Sequence, residues 1–198
     1  MVTIELLLFY FLESYGMKRI EVIKAIAERK GLIVCNLGLP SRELYFLDDK
    51  PSHFYMLGSM GLASSIGLGL AIAQKKRVYV IDGDGSILMN LGSLTTIAHH
   101  APHNYCLIII DNESYGSTGN QPTPTAQKTE LEQIARAAGI SQAKTVERLE
   151  DLKEILDLHH DELLVVITKT DTFNADVPHI PLLPRFIKKR FMSEVVKG

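Results

Sequence analysis

Cysteine is scarce in this chain: Cys35 and Cys106 are the only two in 198 residues, and no Cys-x-x-Cys pair occurs. The ligand spacing of structural zinc and of iron–sulfur clusters is therefore missing. Both thiols stand inside apolar runs, where a reduced core residue is expected. Charge of one sign is missing as well, since 21 lysines and arginines against 23 aspartates and glutamates leave a formal charge of −2. A chain so balanced has no electrostatic footprint for nucleic acid or for an acidic membrane surface. The apolar stretch at residues 2–12 is too short to span a bilayer and is broken by Glu5. It also lacks the basic start and small-residue cleavage site of a secretory signal. No internal repeat and no long linker is present. These absences point to one cytoplasmic globular domain.

What is present is an ordinary globular balance, 46% hydrophobic and 22% charged, in a chain long enough for a substantial core. Met17-Lys18-Arg19-Ile20 reads as a natural start, so residues 1–16 are expected to be an extension and 17–198 the domain. Ile20, Val22, Ile23, Ile26 and Ala27 form a helical stripe that Gly31 ends. Strands are expected at 32–35, 54–57, 78–81, 106–110 and 163–167, each a short apolar run bounded by turn residues. Between them lie a short helix opened by Pro40, an apolar helix from Met60 to Ala73, and helices at 90–100, 131–138 and 148–159. The apolar helix is polar nowhere and is expected to be buried on all sides. His99, His100 and His103 cluster near a helix end, as a solvated cap does. Arg42 is placed to pair with a local acid or to meet an anion. The tail begins proline-rich and turns basic at 185–190, as a solvated or interface helix. This β-α alternation predicts an α/β fold with an open, mainly parallel sheet and helices on both faces.

Two turns stand out within that frame. Gly83-Asp84-Gly85-Ser86 follows the apolar run 78–81, and Asp111-Asn112-Glu113-Ser114-Tyr115-Gly116 follows the run 106–110. The carboxyl ends of buried parallel strands open ligand crevices, so the two turns imply a joint site. Gly83 and Gly85 allow backbone amides to approach an anion closely. Asp84, however, would repel a bare phosphate. Mg²⁺, which takes oxygen from a carboxylate or two and from substrate phosphates, removes that conflict. Asp84 and Asn112 are the candidate ligands that hold it against a diphosphate. A dinucleotide fingerprint fails at its third glycine, where Leu88 stands. The remaining reading is a pair of tight βα connections with capping acids. The polar loop at 117–125 follows the second turn and is expected to act as lid or substrate contact.

With Gly83-Asp84-Gly85-Ser86, 28 positions from Asp84 to Asn112, and Asn112 through Gly116, the chain resembles the thiamine-diphosphate enzymes. The resemblance implies the thiamine diphosphate-binding fold and makes Asp84, Asn112 and the carbonyl of Ser114 the metal ligands. It assigns Gly83, Gly85, Ser86, Tyr115 and Gly116 to the same cofactor motif. Asp111 departs from the family's usual pair of asparagines, while the metal ligand Asn112 is kept. Gly58-Ser59-Met60-Gly61 is similar to the family's cofactor turn. There Met60 would wedge beneath the cofactor and bend it, and the Gly58 carbonyl would accept its amino group. The family's activating glutamate lies on a second, pyrimidine-binding domain, for which this chain has no room. The resemblance therefore implies an alpha subunit that carries it, cofactor bound across the interface, and a hetero-oligomer of several alpha/beta pairs. No catalytic residue is assigned in this chain itself.

Residues 36–44, 57–63 and 119–123 narrow the resemblance to the sulfopyruvate and phosphonopyruvate decarboxylase group. A separate chain of this size is similar to that group's beta subunits, which favours a sulfonate. The implied reaction takes a small anionic 2-oxoacid, 3-sulfopyruvate, to sulfoacetaldehyde and carbon dioxide in coenzyme M biosynthesis. Three alternatives stay open. A phosphonopyruvate decarboxylase usually carries both domains on one chain, and a 2-oxoacid:ferredoxin oxidoreductase beta subunit usually brings cluster cysteines. The third, a non-catalytic thiamine-binding module, is opposed by the joint retention of Asp84, Asn112 and Met60.

Overall fold

The structure, a computed structural model, describes residues 16–159 and 161–197, so the expected extension lies almost wholly outside the described residues. Six strands form one sheet: β1 (Leu32–Cys35), β2 (His53–Tyr55), β3 (Val78–Gly83), β4 (Tyr105–Asp111), β7 (Ala143–Val146) and β8 (Leu164–Lys169). Their order is β2-β1-β3-β4-β8-β7, and every pairing is parallel. The predicted open parallel sheet is what forms.

Alternation along the strands explains the layers. Leu107 and Ile109 of β4 join one hydrophobic cluster, whereas Cys106, Ile108 and Ile110 join the other. The first cluster is closed by α3 (Ala63–Ala73), α5 (Gly92–His100) and α6 (Leu131–Ala137). The second is closed by α1 (Arg19–Ala27), α2 (Leu39–Leu47) and α7 (Leu149–Leu158). Each fully buried Leu or Ile in these layers contributes about 1.5–3 kcal/mol relative to exposure. The basic tail forms α8 (Pro184–Val195), which packs on the sheet edge with Phe191 at 5.2 Å from the Phe54 ring. Arg190 pairs there with Asp49 at 2.9 Å.

Register then positions the site. Cys35 pairs with Ile81, Gly83 with Ile110 and Asp111 with Lys169, so the ends of four central strands open side by side. A helix as short as one turn, α4 (Asp84–Leu88), begins directly at the end of β3. After β4 the chain folds back as a small antiparallel pair, β5 (Ser114–Tyr115) with β6 (Gln121–Pro122).

Three expectations need correction. Strand β7 escapes a search for apolar runs because Lys144 and Thr145 occupy its middle; only Ala143 and Val146 are buried. The apolar helix begins at Ala63 rather than Met60, since Gly61 at φ +87° turns the chain before it. Nor is α3 buried on all sides: Leu62 and Ile72 are 44% and 55% exposed, with Ser65 and Gly69 exposed between them. Its opposite side is tight. A Cβ on Gly67 would stand 2.1 Å from Val80 Cγ2, so glycine is what lets α3 lie on β3.

Candidate functional site

The two turns singled out in the sequence meet in one cavity of about 180 Å³. One wall is Gly83 to Ser86; the facing wall is Asn112, Ser114, Tyr115 and Gly116. Asn36, Leu37 and Gly38, from the end of β1, form a third side, and Met60 reaches the rim. A Cβ on Gly85 would come within 2.3 Å of the Tyr115 ring, so any larger residue there has to displace that ring from the cavity wall. Ser86 joins two turns: its hydroxyl accepts from the Gly61 N–H at 2.9 Å, while Asn90 donates to the Gly61 carbonyl at 2.9 Å. Gly58 and Ser59 lie exposed outside the cavity lining, and Ser59 takes the left-handed conformation at φ 64°. Glu113, between the candidate ligands Asn112 and Ser114, is left-handed too, at φ 58°. Strain of this kind costs about 1–3 kcal/mol per residue and concentrates at functional turns.

Beneath the cavity runs a hydrogen-bonded bracket that sequence reading missed. Thr123 Oγ1 donates to Asp84 Oδ2 at 2.5 Å, and Thr125 Oγ1 lies 3.1 Å from the same oxygen. Thr125 also donates to Asp111 Oδ1 at 2.7 Å. Lys169 Nζ completes the chain, 2.9 Å from Asp111 Oδ2 and 2.8 Å from Glu113 Oε1. Both threonines are buried, so the stretch read as a lid is two things. Ser117 and Thr118 are exposed at the cavity mouth, whereas Thr123 and Thr125 anchor its floor. No sequence period signals it: Thr123 caps, and Thr125 lies within, a single 3₁₀ turn at Pro124–Ala126, and that turn brings both hydroxyls to Asp84.

Electrostatics here favours a cation. Burial pushes the Asp84 carboxyl above its usual range, and the nearby Asp111 charge adds to this; hydroxyls of Thr123 and Thr125 and the Gly85 N–H pull it back. Asp82, fully buried one position before Gly83, is raised to about 6 by the same desolvation, although the Gly83 N–H donates to it at 2.9 Å. Carboxylates held this way gain from a bound cation, which restores the charged form. Asp84, Asn112 and Ser114 offer hard oxygen donors, the type Mg²⁺ takes. Both hydroxyls of the bracket fall on Oδ2 of Asp84, so neither occupies Oδ1.

Other candidates resolve differently. Among the described residues Arg42 forms no ion pair: it donates to the carbonyls of Val177 and, at 3.2 Å, Pro178, clamping the segment before α8. His99 and His100 are exposed and stacked edge to face at 5.2 Å. Cys35 and Cys106 are free and buried, and burial pushes the Cys106 thiol up to about 11. Among the described residues no helix is long and apolar enough to cross a membrane.

Comparison with known proteins agrees with this geometry. The family described as "Thiamine pyrophosphate enzyme, C-terminal TPP binding domain" matches residues 41–167. Sulfopyruvate decarboxylase subunit beta of Methanocaldococcus jannaschii is 52% identical over 186 residues, covering 91% of this chain and 98% of its own. The protein of the same name from Methanococcus maripaludis is 45% identical over 183 residues, covering 90% and 98%. Among solved structures, the Rhodococcus jostii RHA1 thiamine diphosphate-dependent 4-hydroxybenzoylformate decarboxylase superposes with a TM-score of 0.66 at 18% identity. That match covers 81% of this chain and 34% of the solved one, and it carries the fold alone. The chain thus belongs to the thiamine pyrophosphate enzymes, as their cofactor-binding C-terminal domain, and within them to the sulfopyruvate decarboxylase beta-subunit family.

Proposed function

We propose that this chain is the beta subunit of a thiamine-diphosphate-dependent decarboxylase that converts 3-sulfopyruvate to sulfoacetaldehyde and carbon dioxide, a step of coenzyme M biosynthesis. The observation that carries the proposal is the joint cavity, in which turns 28 positions apart in sequence face each other. In this reading Asp84, Asn112 and the Ser114 carbonyl would hold Mg²⁺, beside the Gly83–Ser86 turn that would receive the diphosphate. The residues fit such a group: one buried carboxylate with an oxygen unused by the threonines, neutral oxygens opposite, and side-chain-free glycines at 83 and 85. When bound, thiamine diphosphate supplies the electron sink that lets carbon dioxide leave. The protein's part is positioning. Gly83, Gly85, Ser86, Tyr115 and Gly116 shape the diphosphate pocket, Gly58 and Ser59 present backbone to the far end of the cofactor, and Met60 supports it from below.

No group on this chain is assigned to proton transfer; the activating glutamate belongs to an alpha subunit with the pyrimidine-binding domain. The exposed face of α3 supports that division. Leu62 and Ile72 are exposed at the two ends of α3, with Met89 64% and Met60 37% exposed near its start, so large apolar side chains stand uncovered on this side. Such a side suits a partner surface, and several alpha/beta pairs would assemble through it. The reduced, buried thiols of Cys35 and Cys106 support a cytoplasmic enzyme.

The test is reconstitution. Chain and alpha subunit are mixed with Mg²⁺ and thiamine diphosphate, and carbon dioxide is followed from 3-sulfopyruvate, phosphonopyruvate and pyruvate, with and without an electron acceptor. Release from 3-sulfopyruvate without acceptor, with pyruvate poor, is the expected result. Preference for phosphonopyruvate, or dependence on the acceptor, would move the enzyme to one of the neighbouring activities.

A further inference from the structure

The cavity holds a cation that the metal motif does not account for. Arg19, first residue of α1, is 4% exposed and reaches the cavity lining. Among the described residues of that lining it is the one positively charged side chain, and Asp84 the one negatively charged. Its position is fixed from behind. Nε donates to Glu43 Oε2 at 2.8 Å, and Nη2 donates to Glu43 Oε1 at 2.6 Å and to Asn174 Oδ1 at 3.0 Å. Glu43 is itself fully buried. Asn174 ties this group to the second turn, for a Cβ on Gly116 would stand 3.4 Å from its Oδ1.

A guanidinium has five N–H donors. Three are spent on Glu43 and Asn174; the two on Nη1 meet no acceptor among the described residues. Nη1 is open to the cavity and not among the buried atoms without a partner, while the buried ion pair behind it is by itself weak evidence of stabilisation. The two remaining N–H groups share Nη1 and diverge, so one of them can give a single charge-assisted hydrogen bond to an oxyanion in the cavity. We propose that the Nη1 edge of Arg19 is a subsite for such an oxyanion, either the terminal phosphate of the cofactor or the sulfonate of the substrate. This rests on the thiamine-diphosphate reading of the cavity. Glu43 and Asn174 act as positioning residues that hold the guanidinium in place.

The test uses the full chain assembled with its alpha subunit. Arg19→Met combined with Glu43→Met removes both charges without leaving either buried alone, and Arg19→Lys keeps the charge but loses the planar guanidinium that Glu43 and Asn174 hold in place. Two quantities are measured in each: the dissociation constant of thiamine diphosphate with Mg²⁺, by calorimetry, and the KM for 3-sulfopyruvate at saturating cofactor. Loss of one charge-assisted contact should raise one of them by about tenfold or more in the double variant, with partial recovery in Arg19→Lys. A rise in the dissociation constant alone identifies the phosphate; a rise in KM alone identifies the sulfonate. A folded double variant that changes neither, or a parallel loss of both with a falling thermal midpoint in both variants, overturns the subsite. Failure of the underlying reading shows elsewhere, in a wild-type complex that binds no thiamine diphosphate, and that result removes the subsite with it.

Discussion

Asp84 and Asn112 are 2% and 7% exposed, whereas Met60 is 37% exposed and Gly58 and Ser59 lie open beside it. Both regions are turns at strand ends, and both bear on the same cavity or its rim. They differ in what supports them. Asp84 is bracketed by two threonine hydroxyls, linked through Thr125 to Asp111 and on to Lys169. The Met60 turn is held mainly through the backbone of Gly61, by Ser86 and Asn90. Within one chain, then, the Asp84 side of the cavity is held by a hydrogen-bonded network and the Met60 side is open. Groups locked by packing and by outer hydrogen bonds carry precise chemistry, and open ones are completed by whatever covers them.

The sharpest way to break this contrast is at Asp84. Asp84→Ala should abolish Mg²⁺-dependent binding of thiamine diphosphate in the assembled enzyme, while Asn112→Ala should weaken it less, because water replaces a neutral ligand more readily. Calorimetric titration showing unchanged affinity in Asp84→Ala would end the metal assignment. The bracket comes next. Thr123→Val with Thr125→Val should cost about 10–100-fold in Mg²⁺ affinity, as loss of partners around a metal ligand does, and the paired serine variant should recover most of it.

A smaller and different effect is expected on the open side. Met60→Ala should leave cofactor affinity near wild type while lowering kcat about tenfold, since support beneath the cofactor affects alignment more than anchoring. Equal losses in affinity and turnover would make Met60 an ordinary packing residue.

The smallest effect lies behind β2, the strand that delivers the Met60 turn. Burial alone raises the Asp49 carboxyl, but hydrogen bonds from Arg190 and Tyr55 more than offset this and hold it below its usual range. Its contribution to stability is present above the unfolded carboxyl value, about 3.9, and is lost as pH falls through the lower folded one. Asp49→Asn should therefore flatten the decline of the thermal midpoint below about pH 4, by an amount worth under about 1 kcal/mol. An unchanged acid slope would show that α8 is held by Phe191 and its apolar neighbours alone.

How much of this was legible beforehand follows the same division. Strands β1, β3, β4 and β8 are continuous apolar runs, and the turns after β3 and β4 carry their glycines and oxygen ligands in plain sight. Those features are local. The bracket is not: Thr123 meets Asp84 across 39 positions only because β5 and β6 fold the chain back. Arg19 is an unremarkable helix residue until Glu43, 24 positions on, and Asn174, 155 positions on, are brought to it. Strand β7 was hidden by Lys144 and Thr145, because an edge strand packed on one side needs no apolar run. The uncovered face of α3 was misread since composition reports that a helix is apolar, never what covers it.

The proposed division of the site, with the Asp84 side supplied by this chain and the rest by a partner, makes turnover depend on that partner. The direct measurement is carbon dioxide release from 3-sulfopyruvate by the chain purified free of partner, at saturating Mg²⁺ and thiamine diphosphate, before and after adding the alpha subunit. No turnover by the isolated chain, and its appearance on addition of the partner, is the expected result. Robust turnover by the isolated chain would contradict it, because the site would then be complete without a second subunit.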